Sequence, residues 1–417
     1  MAHRYRLYPT PEQERVFEMH ASHSRVVWNA ALEQLNSWRP GRPSSPSHAE
    51  CKRQLTEARR ELDWLAAGSS SVQQGALRDL DRALRSWWEG THRRPTWRKR
   101  GRRDGFCVRD VRVWKLNRKW AEITVPKAGR VRLRHSRPLP VGKLGAARVT
   151  RDGKGRWHVS IPAPQAPVSR QPTGAAVGVD RGIVNTLTTS DGQMLRAPAI
   201  RERERRRLQR LQRQLARQRR GSARRRRTKA RIAALHQTVA DRRRNWIELQ
   251  TTWLVRECDV ICVEDLRVSN MVRRPAPKPD PGVSNTFLPN GARAKSRLNR
   301  SISAQGWSRW LRRLEEKASA SGVTVVRVDP RHTSRECRQC GHAAAENRES
   351  QAVFACQRCG HEAHADRHAA ENVLARGLHA LAHTPGSGAE RRKAGAARAR
   401  RRRGAARTTP EELANAA

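Results

Sequence analysis

A chain that carries 87 Lys and Arg against 38 Asp and Glu, a formal charge of +49, repels itself and resists collapse unless a polyanion neutralises it. The natural polyanion on this scale is nucleic acid, whose affinity for basic proteins comes largely from released counterions. An anionic membrane is the rival partner. However, residues 1–5 (Met-Ala-His-Arg-Tyr) lack the apolar core of a signal peptide. No run of about 18 apolar residues able to cross a bilayer is present either. No membrane partner and a cytoplasmic location are therefore expected. A hydrophobic content of 36% still permits packed cores, and 417 residues suggest two or three domains. Only 12 of the cations are Lys. Arg matches phosphate bidentately and stacks on bases. Codon bias in a GC-rich genome would also favour Arg, but it leaves the surplus of cations unexplained.

The hydropathy pattern changes twice along the chain. Residues 4–8 alternate as a short strand. Thr10-Pro11-Glu12-Gln13 then reads as a helix start, with Thr10 as cap, Pro11 at the first helical position and Gln13 closing a capping box. A Pro/Ser loop covers 40–47, and helices are expected over 48–67 and 70–89, the latter with Leu77, Leu80, Leu84 and Trp87 on one stripe. Residues 91–165 read as strands with basic outward positions, and 162–173 as a linker. Val177–Asp180 and Ile183–Thr189 are expected as consecutive strands, followed by a helical pair over 200–257 broken near Gly221-Ser222. Between Arg201 and Arg231 that pair holds 15 Arg, one Lys and two Glu. Such density beside the apolar seams of Leu208, Leu211 and Leu215 and of Ile232, Leu235 and Val239 points to nucleic-acid contact. A buried strand ending at Glu264, a Pro-rich loop over 273–290, a Trp-bearing helix, a strand over 323–328 and a helix over about 366–376 complete the reading.

Two constellations carry chemistry. Cys337-x2-Cys340 is followed after 15 residues by Cys356-x2-Cys359, each pair preceding a glycine, Gly341 and Gly360. This is zinc spacing. Four thiolates close a tetrahedron and leave no open position, so the expected Zn2+ is structural. The remaining cysteines, Cys51, Cys107, Cys258 and Cys262, are scattered. The second constellation is acidic. Asp180 ends a strand, Glu264 ends another and Asp366 begins a helix just after the cysteines. Two-metal phosphodiester hydrolysis needs carboxylates converging from separate elements on ions ~3.5–4 Å apart. Acids in this order along strand, strand and helix suit an RNase H-like nuclease. Tyr5 and Tyr8 are the only tyrosines, both in the first strand, so strand transfer through a phosphotyrosine is not expected.

Several segments together make a resemblance. They are Tyr8-Pro9-Thr10-Pro11-Glu12-Gln13, Leu77-Arg78-Asp79-Leu80-Asp81-Arg82-Ala83, Pro95-Thr96-Trp97-Arg98-Lys99 and Leu298-Asn299-Arg300-Ser301-Ile302-Ser303 leading to Trp307. The most specific are Gly178-Val179-Asp180-Arg181-Gly182-Ile183, Val263-Glu264-Asp265-Leu266, Thr333-Ser334-x2-Cys337-x2-Cys340-Gly341 and Ala365-Asp366-Arg367-x-Ala369-Ala370-x-Asn372. In this order, from about residue 4 to 376, the chain resembles the TnpB (OrfB) family of insertion-sequence RNA-guided DNA endonucleases, relatives of compact type V CRISPR effectors.

The resemblance implies a multi-domain α/β architecture: a wedge β-barrel with an inserted helical recognition lobe, then a RuvC-like nuclease domain with an inserted zinc ribbon. The implied boundaries are 1–10 for the first barrel strand, 11–90 for the recognition lobe and 91–165 for the wedge barrel. The RuvC-like domain takes 174–330 including the helical pair, the ribbon 331–364, the last RuvC segment 365–382 and a disordered basic tail 383–417. Asp180, Glu264 and Asp366 fall on the family's catalytic, Mg2+-binding positions. His364 stands where the family usually has a second acid and His368 where Asn is common, departures that bear on metal affinity or substrate placement. The implied activity is hydrolysis of double-stranded target DNA selected by a guide RNA from the transposon end, with the protein reading a short adjacent motif. The alternatives are a nuclease-inactive RNA-guided DNA-binding protein, a structural ribonucleoprotein component and a compact type V CRISPR effector. The oligomeric state stays open.

Overall fold

The computed structural model describes residues 2–37, 46–101, 104–109, 111–140, 144–283, 285–350 and 352–383. The tail from 384 and most of the loop at 40–47 lie outside the described residues. By the contacts its residues make, the chain forms two compact units. The first takes residues up to Ser169 together with Ala197–Trp253 and Arg309–Ser321. The second takes Arg170–Arg196, Leu254–Ser308 and the residues from Gly322 on.

The chain begins with β1 (Ala2–Tyr8) and α1 (Pro11–Asn36). Thr10 and Gln13 form the expected capping box, and the Gln13 amide also donates to the carbonyls of Ala128 and Arg130. One face of α1 buries Phe17, Ala21, Val27, Trp28 and Leu32 at helical spacing. The helix expected over 48–67 divides at Leu62, whose extended backbone separates α2 (His48–Glu61) from α3 (Asp63–Ala66). In α4 (Ser70–Trp88), Leu77, Leu80 and Leu84 are buried against the α1 face. Six strands follow: β2 (Gly105–Val108), β3 (Val113–Lys115), β4 (Trp120–Val125), β5 (Gly129–Arg134), β6 (Ala147–Arg151) and β7 (Trp157–Pro162). With β1 they make one seven-stranded sheet in the order β2-β6-β7-β1-β5-β4-β3. Its inner positions, among them Tyr5, Phe106, Ile123, Leu133 and Ile161, share a single apolar core with Phe17.

The next strands, β8 (Ala176–Asp180), β9 (Leu187–Thr189) and β10 (Met194–Leu195), belong to the second unit. β9 begins later than the sequence suggests because the chain bends over Ile183 to Thr186, held by Gln305, which donates to the Ile183 carbonyl and accepts from the Thr186 hydroxyl. The basic pair is α5 (Glu202–Arg217) and α6 (Ala223–Glu257). Most of it groups with the first unit rather than with the strands that flank it in sequence. The reason is local: the β6–β7 turn docks on α6, with Arg156 2.7 Å from Asp241 and Gly153 tight against the Ala233 carbonyl.

The second unit continues with β11 (Val260–Glu264), α7 (Val268–Met271), the small hairpin β12 (Lys278–Pro279) and β13 (Phe287–Leu288), and α8 (Ala292–Gln305). Gly306, with φ +75°, turns the chain into α9 (Trp307–Ala320). Then come β14 (Thr324–Val328), β15 (Val353–Ala355), β16 (Glu362–His364) and α10 (Ala365–Ala382), longer than the helix expected over 366–376. The five-stranded sheet runs β10-β9-β8-β11-β14, antiparallel on the first side and parallel from β8 through β14.

Candidate functional site

The three expected acids meet through the register of that sheet. Gly178 lies opposite Cys262 and Val179 opposite Val263. Side chains alternate across a strand. Gly178 and Cys262 both face α10: a Cβ on Gly178 would stand 2.1 Å from the Ala370 carbonyl oxygen, and one on Gly377 would stand 2.1 Å from Cys262 Sγ. Two residues further on, Asp180 and Glu264 therefore occupy the helix-covered side at the ends of neighbouring strands. Asp366, in the first turn of α10, lies 3.9 Å from where a Cβ on Gly182 would be, just past Asp180. Glu264 and Asp366 are buried.

The charges register one another. Burial, then the negative charges of Glu264 and Asp366, push the Asp180 carboxyl up to about 8. Burial also raises Glu264. Yet the acidic oxygens are not drawn tightly together; among the described residues only the four ribbon cysteines have all their ligand atoms within 4.8 Å. Carboxylate oxygens are the donors that Mg2+ takes. A cation would offset the burial and the neighbouring charges that raise Asp180, so the chemistry of the donor set fits such an ion.

Around the acids the structure adds residues to which sequence reasoning gave no role. The Thr333 hydroxyl donates to Glu264 Oε1 at 2.9 Å, and the Arg181 guanidinium donates to the Glu264 backbone carbonyl. Asn185 Nδ2 donates to Asp366 Oδ2 at 3.1 Å, and Arg348 pairs with Asp366 Oδ1 at 3.0 Å. Asn372 stitches α10 to the Thr333 and Glu336 carbonyls at 2.9 and 2.8 Å. Thr333, Arg181 and Asn372 sit inside the quoted motifs and could have been found there. Asn185 and Arg348 carry no local signal. His364 occupies the N-cap position of α10 without a side-chain capping bond. His368 stacks on Phe354 at 3.9 Å and reaches the Glu336 carbonyl at 3.0 Å, which places it in the packing between α10 and the ribbon.

The cysteine knuckles repeat one backbone pattern. Gly341 N–H bonds the Cys337 carbonyl at 2.9 Å and Cys337 N–H the His342 carbonyl at 2.8 Å. Gly360 and Cys356 do the same with Cys356 and His361 at 3.0 and 2.9 Å. Both glycines have positive φ, +70° and +72°, which lets the turn close. Sγ separations of 3.6 Å, Cys337 to Cys359 and Cys340 to Cys356, approach the ~3.8 Å that a tetrahedron with ~2.3 Å zinc–sulfur bonds requires.

The cations form two exposed surfaces within the first unit. On α5, Glu202 pairs with Arg205 and Arg206, while Arg203, Arg207, Arg210 and Arg213 face solvent. On the sheet, Arg130, Arg132 and Arg134 project outward while Val131 and Leu133 point in. Arg130 lies over Trp114 at 5.1 Å and Arg134 over Trp120 at 5.4 Å. Tyr8 packs edge-on against Trp120 at 5.0 Å. Interleaved guanidinium and aromatic groups suit phosphates and bases. Among the described residues, no helix is long and apolar enough to cross a membrane.

A mixed sheet that presents three acids beneath a helix, with a tetracysteine ribbon leading into that helix, defines an α/β protein with an acidic centre suited to metal. Three family models match it: "Probable transposase" over residues 158–274, "Helix-turn-helix domain" over 1–40 and "Cas12f1-like, TNB domain" over 307–373. Among the described residues of 1–40, β1 and one unbroken helix, α1, are present rather than two helices joined by a turn. A protein of Escherichia coli (strain K12) named "Putative RNA-guided DNA endonuclease InsQ" is 34% identical over 386 residues, covering 91% of this chain and 93% of that protein. A "Putative RNA-guided DNA endonuclease" of Streptomyces pristinaespiralis is 30% identical over 390 residues, covering 91% and 90%. The solved "CRISPR-Cas12f Ternary Complex" aligns with a TM-score of 0.32 and 14% identity over 87% of this chain and 81% of that one. The chain belongs to the TnpB (OrfB) family.

Proposed function

We propose that this protein is an RNA-guided DNA endonuclease that hydrolyses phosphodiesters at Asp180, Glu264 and Asp366. The observation that carries the reading is the meeting of three acids from β8, β11 and α10 at one end of the sheet, close enough for two of them to raise the pKa of the third. Divalent ions held there would activate water and neutralise charge on the leaving oxygen. The protein's own groups set the geometry: Thr333 orients Glu264, Asn185 orients Asp366, and Asn372 fixes α10 to the segment that carries Thr333. The arginine faces of α5 and β5 hold the guide RNA, and pairing of that RNA with one DNA strand selects the target. The relatives' names support this reading, and the family match favours a guide from the transposon end over one from a CRISPR array. In this reading the seven-stranded sheet is the wedge barrel, α1–α4 the recognition lobe, the five-stranded sheet with α10 the RuvC-like domain, and the four cysteines a structural Zn2+ ribbon.

The test is cleavage of a plasmid matched to the co-purified RNA, in Mg2+. Wild type should cut it. Asp180→Ala should lose detectable cutting while retaining RNA and target binding. Undiminished cutting by that variant overturns the site.

A further inference from the structure

Arg348 lies between the two knuckles of the ribbon, and its Nη2 stands 3.0 Å from Asp366 Oδ1. Asn185 takes the other oxygen. Both oxygens of a carboxylate expected to hold a divalent ion are thus already engaged. Its anchor is rigid. The preceding residue, Asn347, is fully buried; its side chain donates to the Arg335 and His342 carbonyls at 2.8 and 3.0 Å and accepts from Gln357 N–H at 3.0 Å. Ala355 N–H bonds the Asn347 carbonyl at 2.9 Å. These bonds reach both knuckles, so the folded ribbon dictates where the guanidinium is presented. The Arg348 side chain remains 26% exposed against 5% for Asp366, which leaves it a way out toward solvent.

We propose that Arg348 is a placeholder cation: in the metal-free protein it holds Asp366, and a divalent ion binds that carboxylate by displacing it. The inference rests on the reading of the three acids as metal ligands. Buried carboxylates without a counter-charge are costly, and the always-charged guanidinium supplies that counter-charge through one Nη2 contact. The same pairing makes metal entry a competition. Because the ribbon sets the anchor of Arg348, any movement of the ribbon when nucleic acid binds would change the affinity of the acids for metal. Arg348 is on this account a positioning residue.

The experiment uses full-length protein without nucleic acid and Mn2+ as the probe. Free Mn2+ is counted by electron paramagnetic resonance, and melting temperature is followed with and without the ion. Arg348→Gln should bind Mn2+ about tenfold more tightly than wild type, equivalent to about 1.4 kcal/mol. It should melt lower than wild type without metal and recover most of that loss when Mn2+ is added. Arg348→Lys, which keeps the charge, should stay within about twofold of wild type in Mn2+ affinity. Unchanged or weaker Mn2+ binding by Arg348→Gln, a stability loss that Mn2+ does not restore, or a Lys variant that behaves like Gln would each overturn the proposal. Asp180→Ala serves as the control for the underlying reading. If it leaves wild-type Mn2+ binding intact, the metal site itself is misplaced, whatever Arg348 does.

Discussion

Gly178 has no room for a side chain. A Cβ there would lie 2.1 Å from the Ala370 carbonyl oxygen, 2.6 Å from Leu374 N and 2.8 Å from Leu374 Cβ, where ordinary contact begins at 3.4 Å. The two nearest obstacles are helix backbone, so no rotamer change clears them. Gly178→Ala must push α10 away from β8 by about 1 Å or more, and α10 carries Asp366. Overpacking against adaptable side chains costs about 1–3 kcal/mol; against backbone we expect about 3 kcal/mol or more. A global denaturation curve would blend two units, so hydrogen exchange of the α10 amides is the suitable assay. Protection over Ala369–Val373 should fall roughly a hundredfold. DNA cleavage should fall with it, because Asp366 is displaced relative to Asp180 and Glu264. Gly145→Ala, where a Cβ meets nothing within 4 Å, is the control and should change neither reading. Protection in Gly178→Ala within about threefold of wild type would refute the packing argument and the placement of α10 built on it.

Three further outcomes follow from other parts of the molecule. Cys356→Ser should abolish stoichiometric metal in the purified protein and leave the ribbon amides unprotected, since a structural zinc site supplies much of its own folding energy; retained metal and protection would count against the ribbon. Burial, aided by the charge of Arg4, holds the His158 imidazole down to about 4 from 6.5, so the unfolded chain takes up the proton first. His158 therefore contributes stability that is complete above pH 6.5 and drains away as pH falls toward 4; His158→Gln should flatten the melting temperature over that window, and an unchanged slope would contradict the assignment. Lys317 is buried and donates to the Glu248 carbonyl, Thr251 and Thr252 at 2.7, 2.9 and 2.7 Å. Lys317→Met should cost about 2–3 kcal/mol, read from hydrogen exchange of the α6 and α9 amides, because it leaves those buried acceptors unmatched while Arg313 still pairs with the Glu248 carboxylate at 2.8 Å.

Much of the local structure was legible because its causes are local. The Thr10–Gln13 capping box, the Leu77, Leu80 and Leu84 stripe and the alternation of Arg130 to Arg134 each depend on neighbours within a few residues, and each is present. The break at Leu62 and the bend before β9 were not legible. The first lies within an unbroken helical pattern, and the second is held by Gln305, more than a hundred residues away. The docking of the basic helical pair within the first unit likewise depends on Arg156 meeting Asp241, a pairing with no sequence signature.

By itself, the sequence determined that a polyanion must accompany this chain, that four cysteines at knuckle spacing share one centre, and which three acids to watch, since net charge, ligand spacing and strand-end position are properties of the linear chain. Only the tertiary structure decided that Asp180 and Glu264 lie side by side under α10, that Asn185 and Arg348 engage Asp366, and that His368 packs on Phe354. Those outcomes depend on strand register and on the close approach that Gly178 and Gly377 allow. Both are set where distant segments touch, and no stretch of neighbouring residues encodes them.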